Sequence, residues 1–170
     1  MEQRSVPCYR RSFVLQKSRM AVKNTIAVIA STKEKAKAIV QKISKKNCRI
    51  LLVSKHENEY VQLKTEIQSE YPGMELDTID CMKDGCWEAD VIMMDVSEDE
   101  KKEVAEMIKE VATQKVVISF SDSEKDGFEE SLQKLLNHSR VIKVSANVCN
   151  LAITGNDEDA IHTASSLLKD

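Results

Sequence analysis

Glycine is scarce in this chain, which has 4 glycines in 170 residues, well below the roughly 7% that is usual in proteins. Glycine lets a backbone turn tightly and approach a phosphate group at the start of a helix. The scarcity of glycine therefore argues against a glycine-rich phosphate-binding loop.

Aromatic residues and excess positive charge are lacking as well. Aromatics make up 4% of the chain, and the net charge is −3 with Lys and Arg spread among Asp and Glu. A protein that binds nucleic acid needs a basic face, and one that binds single strands needs aromatic rings on which bases stack. We therefore expect no nucleic acid as a partner.

Long apolar runs and grouped metal ligands are also absent. No run reaches the roughly 18 to 20 apolar residues of a membrane span, so we expect no membrane partner. An odd number of scattered cysteines, namely Cys8, Cys48, Cys81, Cys86 and Cys149, is typical of reduced thiols in a cytoplasmic protein. Cys81 and Cys86 have no second cysteine pair and no nearby histidine, so we expect no metal site.

The first 19 residues differ from the rest, with five basic residues, one acidic residue and no apolar core of a secretory signal. We interpret residues 1–19 as a disordered or mis-assigned N-terminal extension, with Met20 as an alternative start. A weak organelle-targeting segment is the other interpretation. Residues 20–170 are predicted to form a single Rossmann-type domain.

Beyond residue 24, apolar strands such as "ADVIMMDV" and "KVVISF" alternate with amphipathic helices. This alternation predicts an α/β fold of the Rossmann type, doubly wound, with a mainly parallel sheet of about six to seven strands and helices on both faces. Trp87 is predicted to anchor the core beneath the fourth strand. The predicted strands are 25–30, 49–54, 74–79, 90–96, 115–120, 140–145 and 147–153; the predicted helices are 32–46, 56–69, 98–112, 123–137 and 156–168, with a short helical turn at 81–88.

Three segments carry a resemblance to a known family: "RILLVSKHENEYVQLKTEI", "DCMKDGCWEADVIMMDVSEDEKKEVAEMIKEVATQKVVISFSD" and "VIKVSANVCNLAITGNDEDAIHTASSLLKD". Their most specific parts are "EADVI", the helix before "KVVIS", and "GNDEDA". Over residues 24–170 the chain resembles the NADP-binding domain of the deazaflavin-dependent NADP oxidoreductase family. The resemblance implies a Rossmann domain and hydride exchange between NADP and a deazaflavin or another reductant. Because the chain stops at Asp170, we expect a truncated member.

The phosphate turn of that family falls on "ASTKEKA", after the first strand, but without its glycines. The family's glycine positions correspond to Ala30, Lys33 and Ala36. Ser31 and Glu34 have the spacing of a capping box, which would satisfy the helix start without an anion. The turn is therefore interpreted as degenerate, although the Lys33 ammonium could meet a phosphate.

After the second strand the resemblance implies an NADP-selecting position, where hydroxyl and basic groups meet the extra phosphate. This chain has Ser54, Lys55 and His56 there. At the end of the fourth strand, where the family has a short apolar segment, the chain has Asp95, whose carboxylate would add negative charge beside an anionic ligand.

Two functions remain open. The first is a non-catalytic binding or interaction protein with weakened or lost cofactor binding, as a homodimer or with another protein partner. The alternative is an active NADP-dependent oxidoreductase that uses a modified phosphate turn, with a dinucleotide as its partner. No catalytic residue is identified. The candidate cofactor-binding residues are Ala30, Ser31, Thr32, Lys33, Ser54, Lys55 and His56.

Overall fold

The structure is a computed structural model that describes residues 23–56, 58–121, 127–146 and 150–169. The predicted extension at 1–19 lies outside the described residues. The strands are β1 (Asn24–Ala30), β2 (Cys48–Val53), β3 (Glu75–Ile79), β4 (Val91–Asp95), β5 (Val116–Ser121), β6 (Arg140–Ala146) and β7 (Leu151–Gly155). The helices are α1 (Lys33–Ile43), α2 (Val61–Glu70), α3 (Met82–Glu88), α4 (Glu98–Ile108), α5 (Gly127–Leu135) and α6 (Glu158–Leu168).

The seven strands form one sheet in the order β3-β2-β1-β4-β5-β6-β7. Neighbouring strands are parallel from β3 to β6, and β7 is antiparallel to β6. This is the order of a Rossmann sheet with an added edge strand. The predicted Rossmann-type fold is confirmed.

The helices cover both faces of the sheet because the strands are apolar on both sides. In β1, Ile26 and Val28 face the helices α1, α2 and α6, whereas Ala27 and Ile29 face α3, α4 and α5. Near-continuous burial of this kind is typical of parallel strands that lie inside an α/β domain.

The sheet order places a topological switch point between β1 and β4. The chain moves outward in one direction from β1 to β3 and then returns to β4 on the other side of β1. In open α/β sheets, ligands bind in the crevice outside the carboxyl ends of the strands at such a point. The residues after Ala30 and Asp95 therefore occupy the position where a ligand is expected.

The predictions for Trp87 and for the start of the second helix are wrong. Trp87 does not anchor the core: the residue is 71% exposed, and the Lys115 ammonium lies 5.8 Å from its ring centroid. The second helix begins at Val61 rather than at 56, because the chain first makes a turn in which Asn58 has a φ of 61°. A positive φ interrupts a right-handed helix.

Candidate functional site

The crevice at the switch point contains a small cleft of about 90 Å³ between the ends of β1 and β2 and the start of α4. Five of the predicted candidates line it, whereas Thr32 and Lys33 do not. The five are Ala30, Ser31, Ser54, Lys55 and His56. Glu59, Tyr60 and Glu100 also line the cleft and were not among the predicted site residues.

The turn after β1 is fixed by bonds to its backbone. The buried Tyr60 hydroxyl donates to the Ala30 carbonyl at 3.1 Å, and the Ser31 amide donates to the Asp95 carbonyl at 3.0 Å. Burial, with a smaller contribution from the charge of Glu59, raises the pKa of Tyr60 to about 12. Tyr60 therefore stays neutral, and its hydroxyl donates a hydrogen bond that stabilises the turn after β1.

The end of β1 is also tied to the start of α4. The Ser31 hydroxyl donates to the Glu100 carboxylate at 2.7 Å and accepts from the Ser97 amide at 3.1 Å. Ser97 and Glu100 form a capping box at the N-terminus of α4. The hydrogen bond from Ser31, followed by those from Ser97, holds the pKa of Glu100 below its ordinary value.

At the start of α1 the predicted capping box of Ser31 and Glu34 is wrong. The N-cap is Thr32, whose hydroxyl oxygen accepts from the Lys35 amide at 3.3 Å. A hydrogen bond from its own backbone amide, and then one from Thr32, lowers the pKa of Glu34. A carboxylate of the chain therefore already lies at the positive end of this helix.

The positions that hold glycine in a dinucleotide turn have other roles here. Ala36 is fully buried in the core, and Lys33 is exposed. Lys35 stands at the third glycine position of a G-x-G-x-x-G fingerprint that begins at Ala30. Its side chain reaches across the crevice, where the ammonium lies 2.8 Å from the Asp95 carboxylate. A long side chain thus crosses the space that glycine would leave open.

The Lys35–Asp95 ion pair forms part of the wall of a second cavity, of about 220 Å³, at the carboxyl ends of β4 and β5. We call it the Lys35–Asp95 cavity. Among the described residues, Val96, Ser97, Glu98, Phe120 and Ser121 also line it.

The predicted NADP-selecting group is engaged with carboxylates of the chain. Ser54 is 3% exposed; its hydroxyl lies 2.5 Å from the Glu59 carboxylate and accepts from the His56 amide at 2.9 Å. The Lys55 ammonium lies 3.4 Å from the Glu103 carboxylate. Glu59 places a negative charge where the extra phosphate of NADP would be expected.

Sequence reasoning missed Glu100 and Tyr60 for different reasons. "SEDE" at 97–100 has the same capping-box spacing as the segment after β1, and this signal could have identified Glu100. Tyr60 had no such signal, because only the turn between β2 and α2 directs its hydroxyl to Ala30.

Among the described residues, no group of three or more His, Cys, Asp or Glu side chains could hold a metal ion. In the same part of the chain, no helix is both long and apolar enough to cross a bilayer.

Comparison with solved structures shows NAD(P)-dependent reductases with the same Rossmann-like fold. A pyrroline-5-carboxylate reductase from Coxiella burnetii matches with a TM-score of 0.68 and 19% identity, over 86% of this chain and 56% of that protein. A protein described as an F420-dependent NADP reductase, from Arthrobacter, matches with a TM-score of 0.67 and 14% identity, over 86% of this chain and 80% of that protein.

An imine reductase variant from Myxococcus stipitatus, in complex with NAD⁺, matches with a TM-score of 0.67 and 10% identity, over 86% of this chain and 51% of that protein. The chain thus spans little more than half of the pyrroline-5-carboxylate and imine reductases. At these identities the likeness shows a shared fold. No protein-family model matches the sequence, and no curated protein matches it.

Proposed function

We propose that this chain is a Rossmann-type domain, related to NADP-dependent oxidoreductases, that has lost tight dinucleotide binding and serves as a non-catalytic binding or interaction protein. One observation carries the proposal. The two helix N-termini that flank the switch point already carry a carboxylate of the chain itself: Glu34 lies in the first turn of α1, and Glu100 belongs to the capping box of α4.

The N-terminus of a helix is a favourable binding site for a pyrophosphate, because its free amides and its dipole attract negative charge. Here the Ser31 hydroxyl and the Lys35 ammonium, which could meet a phosphate, are bonded to Glu100 and Asp95. A dinucleotide would have to displace these partners. A phosphate about 4 Å from the Asp95 carboxylate would also be repelled by about 1 to 4 kcal/mol.

One observation favours the alternative of an active NADP-dependent oxidoreductase. Ser54, Lys55 and His56 lie in the same cleft as Ala30 and Ser31. In this alternative Lys33 would meet the pyrophosphate from the helix start, and Lys55 the extra phosphate. Glu59 and Glu103 would then have to release Ser54 and Lys55.

Calorimetric titration of the full chain with NADPH tests the proposal. We expect a dissociation constant weaker than about 1 mM, which corresponds to less than about 4 kcal/mol of binding free energy. Micromolar affinity would overturn the proposal and support the oxidoreductase. In that event NADPH should bind more tightly than NADH, and Lys55→Ala should abolish the preference. Lys45→Ala is the matched control, because Lys45 follows α1 at the opposite end of the sheet.

A cytoplasmic location and a homodimer, or another protein partner, remain part of the proposal. Light scattering coupled to size-exclusion chromatography distinguishes a homodimer from a monomer. A monomer at all accessible concentrations would leave another protein as the partner.

A further inference from the structure

We propose that the outer face of α3 and α4 binds the same face of a second copy of this chain, with Trp87 of each copy packed into the groove between α3 and α4 of the other. The groove is an open cavity of about 600 Å³. This inference rests on the proposed function, because it names the partner of a binding or interaction protein. The groove shares none of its described lining residues with the cleft at the switch point.

Trp87 is a large apolar residue that lies mostly in solvent. It is the only tryptophan of the chain and is 71% exposed. The Lys115 ammonium donates to the Trp87 carbonyl at 2.5 Å and lies 5.8 Å from the ring centroid, so a cation–π contact holds the ring at the end of α3. A ring that is already held loses little freedom on binding. Tryptophan is also enriched among the residues that dominate the binding energy of protein interfaces.

The groove lies on the same side of α3 as Trp87. Lys83 lines it from α3 and precedes Trp87 by one helical turn, so the two side chains are neighbours on the helix surface. Met107, which packs against the core beneath α4, supplies apolar surface. The remaining described lining comes from α4 and consists of Asp99, Lys102, Glu103 and Glu106.

One chain therefore carries both a projecting ring and a recess large enough to receive it, side by side on one face. Because Trp87 is exposed, it does not fill the groove of its own chain. In a two-fold dimer every contact occurs twice, with the roles of the two copies exchanged. Two copies that face each other thus bury both rings and fill both grooves.

The charges around the groove also match a second copy. Three of the five charged residues that line it have partners within the chain: Lys83 with Glu110 at 3.6 Å, Glu103 with Lys55 at 3.4 Å, and Glu106 with Lys109 at 2.9 Å. The other two, Asp99 and Lys102, form no ion pair with any described residue. Both are exposed.

Asp99 and Lys102 are opposite in sign and lie three residues apart on α4, so they share one side of the helix. In a two-fold dimer Asp99 of each copy pairs with Lys102 of the other, and both charges then have partners. Exposed pairs of this kind contribute little affinity, but they determine which surfaces match. The face is thus complementary to itself in charge as well as in shape.

Sedimentation equilibrium and intrinsic fluorescence of the full chain test the proposal. We expect a dimer with a dissociation constant of about 10 μM or tighter. Because Trp87 is the only tryptophan, its emission should shift to shorter wavelength over the same range of protein concentration in which the dimer forms. A chain that stays monomeric at roughly twentyfold above that concentration would overturn the inference.

Trp87→Ser should weaken the dimer by at least about tenfold, as expected for a residue at the centre of an interface. Val61→Ser is the matched control, because Val61 is 46% exposed and begins α2, which covers the opposite face of the sheet. Its dimer should equal that of the unmodified chain. Equal dimerisation in Trp87→Ser and Val61→Ser would overturn the inference. Melting temperatures identify any variant that fails to fold.

A charge exchange tests the reciprocal pairing. Asp99→Lys alone, or Lys102→Asp alone, places like charges opposite each other twice and should weaken the dimer by at least about threefold. The double variant, Asp99→Lys with Lys102→Asp, has the net charge of the unmodified chain and should recover its affinity to within about twofold. A double variant as weak as the single variants would overturn the pairing of these residues between two copies.

The failure of this inference is distinguishable from the failure of the proposed function. A monomer that does not bind NADPH overturns only the inference and leaves another protein as the partner. Micromolar binding of NADPH overturns the proposed function, whatever the oligomeric state.

Discussion

The Ser31 hydroxyl donates to the Glu100 carboxylate across 2.7 Å and so joins the end of β1 to the first turn of α4. These two elements flank the switch point, so this hydrogen bond spans the place where a Rossmann enzyme would bind pyrophosphate. The same carboxylate accepts from the Ser97 amide at 3.1 Å and from the Ser97 hydroxyl at 2.8 Å. Glu100 is therefore both a helix cap and a link between two elements.

The stability of the fold should depend on the ionisation of Glu100. Its pKa is lowered in the folded chain, first by the hydrogen bond from Ser31, so the carboxylate stabilises the fold above the ordinary Glu pKa of about 4.3. This contribution is lost as the pH falls through the lowered folded pKa. We expect Glu100→Gln to be less stable than the unmodified chain at pH 7, and the difference to shrink below about pH 4. Urea unfolding across this pH range measures it.

Glu103→Gln is the matched control for that series, because it removes the same charge from the next turn of α4, where the side chain is exposed. Its stability difference at pH 7 should be smaller, since exposed ion pairs contribute little. Equal effects of Glu100→Gln and Glu103→Gln would show that net charge, rather than the link to Ser31, determines the stability.

The hydrogen bond from Tyr60 to the Ala30 carbonyl should stabilise the turn after β1. Tyr60→Phe keeps the buried ring and removes the donor, which should cost about 1 to 3 kcal/mol in the free energy of unfolding. Tyr71→Phe is the matched control, since the Tyr71 ring packs against the same core. Its hydroxyl makes no hydrogen bond with any of the described residues, so we expect a change within about 0.5 kcal/mol. Similar losses in both variants would contradict a specific bracing role.

Tyr60 should also affect stability at high pH. Its folded pKa, raised to about 12 by burial, exceeds the ordinary value of about 10, so the folded chain retains the proton more strongly than the unfolded chain. The resulting stabilisation is fully present below about pH 10 and is lost as the pH rises through 12. Tyr60→Phe should unfold with a shallower dependence on pH above about 10. An unchanged pH dependence in Tyr60→Phe would show that the phenol titrates normally.

The fold was predictable because its signal is local and repeated. The pattern at 25–30 corresponds to β1 at Asn24–Ala30, and that at 98–112 to α4 at Glu98–Ile108. The main strand shift is at β7, predicted at 147–153 and observed at Leu151–Gly155, where residues 147–149 lie outside the described residues. Hydrophobic periodicity identifies buried strands and amphipathic helices without knowledge of their partners.

The site was only partly predictable, because its contacts join residues that are distant in sequence. Ser31 and Ser54 were identified from their positions after β1 and β2. Their hydrogen-bond partners differ in sequence separation: Glu59 is five residues from Ser54, whereas Glu100 is 69 residues from Ser31. Trp87 was misplaced for a related reason, since burial depends on which side of α3 faces the sheet, and a seven-residue helix has little periodicity to indicate this.

The segment before the domain should not contribute to stability. Residues 1–19 show no hydrophobic periodicity and precede β1. A chain that begins at Met20 should therefore have the same melting temperature as the full chain, by differential scanning calorimetry. A decrease of more than a few degrees would indicate that the segment packs on the domain and would overturn its interpretation as an extension.

Restoring glycine at Ala30, Lys33 and Ala36 tests whether the crevice is an eroded NADP site. The changes would let the backbone approach a pyrophosphate, so NADPH should bind at least about threefold more tightly by calorimetry. Adding Glu34→Gln should increase the affinity further, because it removes a negative charge from the start of α1.

The cost of these glycines should appear in the free energy of unfolding. Lys33 and Ala36 lie in α1, and each helical glycine costs roughly 0.5 to 1 kcal/mol relative to alanine. The loss from these two positions should therefore be about 1 to 2 kcal/mol, with some addition from the buried methyl group of Ala36. Ala38→Gly combined with Lys42→Gly is the matched control, since both are exposed positions of the same helix and should lower stability without changing NADPH affinity. A triple-glycine variant that loses stability but binds NADPH no better than this control would show that the site has been lost beyond the turn itself, through contacts such as Lys35 with Asp95.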